Sequence, residues 1–99
     1  MNNVINVSIT IDSDQQLKDL SKLDFDDVYF TIFDERRRRG KKDAWALKNQ
    51  YGAQLNPFIE IKINEKFYHM IYSEASESPI SDLNKVLKRL IKIKDTLNS

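Results

Sequence analysis

No cysteine occurs in this chain of 99 residues, and disulfides, thiolate metal sites and thiol catalysis are excluded with it. Glycine is nearly as scarce. With Gly40 and Gly52 alone, neither a Walker loop nor a Gly-x-Gly-x-x-Gly turn can be written, because both need several glycines to close backbone N–H groups around phosphate. The single histidine, His69, leaves a metalloprotease helix without its second imidazole. No apolar stretch approaches the roughly 18 residues of a spanning helix. The opening MNNVINVSITID has no basic n-region and alternates apolar with polar residues, which points to a strand and not to a signal peptide. These absences lead to the expectation of a cytoplasmic domain with no membrane segment, no cofactor and no enzymatic activity.

What is present begins with charge. The formal net charge is only +1, yet the charges are segregated along the chain. Residues 1–35 carry eight acids against two lysines, a net of −6, while residues 36–48 carry seven bases against Asp43, a net of +6. Within that block Arg36, Arg37, Arg38, Arg39, Lys41 and Lys42 are interrupted only by Gly40. An acidic lead before a basic block can neutralise it within one molecule, so the block alone does not demand an acidic partner.

Hydrophobic content of 40% with 31% charged residues suits one domain over residues 1–99. Ile5, Val7, Ile9 and Ile11 alternate with polar residues, the pattern of a strand with one buried face. Ser13 with Gln16 three residues later makes a capping box for a helix over about residues 14–23, with Leu17, Leu20 and Leu23 facing the core. The run VYFTIF, residues 28–33, is nearly continuously apolar and predicts a strand covered on both faces, more central than the first. A second helix follows the basic block. Its packed part is expected after Gly40, because glycine inside a helix costs about 1 kcal/mol relative to alanine. Ala44, Leu47 and Tyr51 form its stripe, Trp45 and Lys48 flank it, and Gly52 suits its left-handed end. Ile59, Ile61 and Ile63 mark a third strand after Pro57. A turn at Asn64, Glu65 and Lys66 leads to a fourth over residues 67–73, with Phe67, His69 and Ile71 on one face and Tyr68, Met70 and Tyr72 on the other. Ser78 and Pro79 start the last helix, whose stripe runs through Ile80, Leu83, Leu87 and Leu90, with Ile91, Ile93 and Leu97 as further members.

The element order is β-α-β-α-β-β-α. That order, and the stretch KKDAWALKNQYGAQLNPFIEIKINEKFYHMIYSEA, resembles the C-terminal half of a thioredoxin-like domain. It is also similar to small thioredoxin- or glutaredoxin-like proteins of bacteria and their phages. The resemblance implies an α/β fold with a four-stranded mixed sheet. It puts Tyr51 and Gly52 at the end of the helix leading to a cis-proline, and so makes Asn56-Pro57 a cis candidate. The redox Cys-x-x-Cys of that family would fall after the first strand, where DSDQQ carries no sulfur, so disulfide exchange does not transfer. Asn56 inherits the position that pairs with an extended substrate peptide in redox members, without the activity.

Single residues read more plainly as structure. His69 has no partners for catalysis or metal binding and suits a packing role. Asp24, Asp26 and Asp27 read as a solvated turn, and Glu74, Glu77, Ser73, Ser76 and Ser78 as loop and capping residues. The basic block remains. In a thioredoxin-like sheet its loop, residues 12–16 and Asn56-Pro57 share one edge, which defines a docking face made of Arg36, Arg37, Arg38, Arg39, Lys41, Lys42, Asn56 and Pro57. An acidic protein partner is the leading expectation for that face. The alternative is anion or nucleic-acid binding through residues 36–42, weakened by a shortage of stacking aromatics, since Trp45 also suits the core.

Overall fold

The computed structural model describes residues 4–98, with side chains as far as Ile93. Seven elements follow in the order β1 Ile5–Ile11, α1 Asp14–Ser21, β2 Val28–Asp34, α2 Arg38–Tyr51, β3 Phe58–Ile63, β4 Lys66–Tyr72 and α3 Pro79–Asn98. The strands form one mixed, open sheet in the order β2-β1-β3-β4. β1 and β2 are parallel, whereas β3 is antiparallel to both β1 and β4. The α/β class and the four-stranded mixed sheet are thus as expected.

The strand ranking is reversed. β1 is central and its apolar residues are buried, together with Thr10. β2 is an edge strand that leaves Tyr29 63% and Ile32 40% exposed. The residues that suit a strand's extended backbone are also the residues of cores, so a run of them reports β-propensity before burial.

One face of the sheet packs against α1 and α3. Ile5, Val7, Ile9, Ile11, Ile59, Ile61 and Ile71 meet Leu20, Leu83, Leu87 and Leu90 there, with Leu23, Phe30, Ile80 and Ile91 around the margin. The capping box forms as read: Ser13 Oγ accepts from Gln16 N at 3.2 Å, while Gln16 Oε1 accepts from Ser13 N at 3.2 Å. Leu17 does not join the core and stays 42% exposed, because an eight-residue helix presents little more than Leu20 to the sheet. At the start of α3, Ser76 Oγ accepts from Ser78 N at 3.1 Å and donates to Asp82, tying the first turn. Ile93 is exposed, and Leu97 lies outside the residues whose side chains are described.

α2 lies on the opposite face, against β2 and β1. It starts two residues before Gly40, not after it. A Cβ on Gly40 would stand 2.8 Å from Asp34 N and closer still to the Asp34 carbonyl oxygen. The glycine is therefore what lets the first turn of α2 lie against the end of β2, and its propensity cost is outweighed by that approach. At the far end Gly52, φ 67°, closes the helix left-handed, and Ala53 N donates to Lys48 O at 2.9 Å in a Schellman pattern.

The β3–β4 hairpin turns through Asn64 and Glu65, both at positive φ, as a two-residue primed turn requires. A register shift follows: Ile61 pairs with His69, but Lys62 pairs with Phe67. The extra residue moves Phe67 to the α2 side, where its ring centroid lies 6.0 Å from that of Tyr51. Phe67, His69 and Ile71 therefore do not share a face, because period-two counting fails across a bulge. His69 is exposed on this edge strand, so it is not the packing residue expected.

Candidate functional site

The basic block divides in two. Arg36 folds back: its Nη2 lies 2.8 Å and its Nε 3.0 Å from the two Asp34 carboxylate oxygens, and its Nη1 lies 2.5 Å from Asp14 Oδ1. The side-chain hydrogen bond from Arg36 holds the Asp34 carboxyl below its ordinary range, and the same bonds push the guanidinium further towards its charged form. Within the run 36–42, the acidic lead therefore neutralises Arg36 alone by ion pairing among the described residues. Arg37, Arg38, Arg39, Lys41 and Lys42 are exposed. Among the described residues, none of them has a carboxylate within ion-pair distance.

These five cations occupy the cap and first turns of α2. No acid lies in the first turn, and the capping residue, Arg37, makes no side-chain cap bond. Cations at a helix N-terminus oppose the macrodipole, so this arrangement is unfavourable for the isolated helix. What secures α2 is its contact with the sheet, together with the polar network at its centre.

That network joins four elements. Glu35, just past β2, faces the Lys48 ammonium through Oε1, and its Oε2 accepts from Asn56 Nδ2 at 2.6 Å. Asn56 Oδ1 in turn accepts from Thr10 Oγ1 at 2.6 Å, and Thr10 Oγ1 accepts from Phe58 N at 3.0 Å. Lys48 and Thr10 are buried, so each of these groups needs its partner. Farther along the same face Tyr51 donates to Glu60, which is also buried. This hydrogen bond and partial burial push the Tyr51 hydroxyl up to about 12.

The eight residues expected to form one docking face are therefore not equivalent. Asn56 comes close to the basic run through Glu35, but its side chain is held inward. The Asn56-Pro57 bond is cis, and Pro57 is buried. Pro57 lines a recess of about 510 Å³ on the α1/α3 side, with Gln16, Asp19, Lys22 and Ser78 among its walls and none of residues 36–42. The exposed cations belong instead to a surface that continues along α2 to Trp45.

Trp45 is the residue whose placement changes most. It was expected to suit the core, yet it is 54% exposed, with the Lys41 ammonium 5.3 Å from its ring centroid. Lys48, read as a flanking residue, takes the buried place instead. Helical spacing alone puts residues 44, 47, 48 and 51 on one side, and an aliphatic count cannot show that the buried member of the set is an ammonium meeting Glu35. Beside Trp45 lies a recess of about 340 Å³ lined by Glu35, Trp45, Lys48, Asn49, Ala53 and Gln54.

No group of three or more His, Asp or Glu among the described residues is placed to hold a metal ion. Comparison with protein-family models, curated proteins and solved structures finds no match to this chain.

Proposed function

We propose that this chain is a thioredoxin-like domain without thiol chemistry, working as a non-catalytic binding or assembly module that meets an acidic partner through the start of α2. The observation that carries this reading is the set of five exposed cations, residues 37, 38, 39, 41 and 42, with no carboxylate within ion-pair distance among the described residues, at a place where they oppose the helix dipole. An arrangement that costs the free domain stability is accounted for when a polyanion completes it. The thioredoxin-like part rests on the element order, the strand order β2-β1-β3-β4 and the proline that opens β3. Of the two partner classes expected, an acidic protein and a nucleic acid, exposure of Trp45 favours the second.

The test is anisotropy of a labelled poly-glutamate peptide and a labelled oligonucleotide at two salt concentrations. A variant carrying Arg37→Glu, Arg38→Glu and Lys42→Glu is compared with one carrying the same charge change on α3, at Lys85, Lys88 and Arg89. Salt-sensitive binding lost in the first variant and kept in the second supports the assignment. Equal losses in both, or no binding of either ligand at low salt, remove it.

A further inference from the structure

We infer that the polyanion met by the α2 face is single-stranded nucleic acid, with a base stacked on Trp45 and the phosphate backbone running along the cations before it. This rests on the reading of residues 37–42 as a polyanion-binding face, and it adds what an acidic protein would not use. Arg38, Lys41, Lys42, Trp45 and Asn49 recur at spacings of three and four, so they form one strip along the outside of α2. Cations alone would serve any anion. An indole exposed at the end of the same strip supplies the sequence-tolerant stacking face that single-strand binding adds to a basic track.

The recess beside that indole fits the same ligand. Trp45, Asn49 and Gln54 line it, and among the described residues neither the Asn49 nor the Gln54 side-chain amide has a hydrogen-bond partner. A side-chain amide offers a donor and an acceptor together, which is what the edge of a splayed-out base presents in return. The Lys48 ammonium and Glu35 carboxylate at the same recess already neutralise each other, so the site takes an uncharged group, and a base is uncharged where a phosphate is not. Lys41 lies over the indole through a flexible stem and can exchange that contact for a phosphate when a base arrives.

Trp45 is the only tryptophan in the chain, so its emission reports this contact directly. The full chain is titrated with short oligo(dT) and oligo(U), and separately with inorganic polyphosphate and poly-glutamate, which carry charge but no bases. The expected result is quenching of Trp45 emission by both oligonucleotides and little by the base-free polymers. With labelled oligo(dT), Trp45→Ala weakens binding by roughly 5- to 150-fold, the range of one lost stacking contact, while Trp45→Phe recovers part of it. Because the indole is exposed, the alanine variant is expected to keep its circular dichroism spectrum. If polyphosphate or poly-glutamate binds as tightly as oligo(dT), or if Trp45→Ala leaves oligo(dT) binding unchanged, the nucleic-acid inference is overturned and the basic docking face still stands. If no polymer binds at low salt, both fail.

Discussion

On one side of the sheet, Val7, Ile9, Ile59 and Ile61 are closed off by Leu83, Leu87 and Leu90. On the other, at similar depth, stand Thr10, Glu60 and Lys48, each held by a named hydrogen bond or ion pair. The first side is non-directional: shape and volume set it, not the pairing of particular atoms. The second specifies positions, because a buried donor or charge must find one particular partner. The difference explains how α2 keeps its place while its first turns carry unpaired cations: the Lys48–Glu35–Asn56–Thr10 chain fastens the helix to β2, to β1 and to the segment entering β3.

Removing one group from each side separates the two modes. Leu87→Ala leaves a cavity and is expected to cost about 2–5 kcal/mol in denaturant unfolding. Lys48→Met is expected to cost about 3–5 kcal/mol, because it leaves the Glu35 carboxylate in a confined place without its cation. Adding Glu35→Gln to Lys48→Met should recover most of that loss, since the amide still accepts from Asn56 and the stranded charge is gone. No comparable second change in the polar network should rescue Leu87→Ala.

Gly40→Ala tests the seat of α2 through a reversal of sign. In an ordinary exposed helix this change stabilises by about 1 kcal/mol. Here the added methyl meets the Asp34 backbone, so a loss of about 1–3 kcal/mol is expected from overpacking, read from the thermal midpoint.

The smallest effect comes from Tyr51. Its hydroxyl is raised from an ordinary value of 10.0 to about 12, so the neutral form is favoured by folding. The corresponding stability is fully present below pH 10 and is lost as pH rises through about 12. Ultraviolet titration of tyrosinate should show a late component that disappears in Tyr51→Phe, and a late component persisting in that variant would contradict the Tyr51–Glu60 bond.

How far the sequence discloses this molecule differs between the same two sides. The aliphatic side was legible from alternation in β1 and β3 and from the α3 stripe, because burial of like residues repeats with the period of the backbone. The polar side is not, since nothing local marks Lys48 or Glu60 as buried or Glu35 as half-buried; each meets a partner elsewhere in the chain. Trp45 differs from its expected place for the complementary reason: an aromatic in a helix suits a core, but Ala44 and Lys48 already fill the inner side of α2. The six cations were legible as a cluster, but only the fold shows that Arg36 is spent on Asp34 and Asp14 and the other five are not.

On the proposed function, polyanions meet the outer side of α2 and not the recess beside Pro57. Amide and indole chemical-shift mapping of the isotope-labelled chain, titrated with oligo(dT) and with poly-glutamate, tests it most directly. Shifts are expected to gather at residues 37–42, at the Trp45 indole and at Asn49 and Gln54. Shifts centred on Gln16, Lys22 and Ser78, or spread evenly over α3, would contradict it.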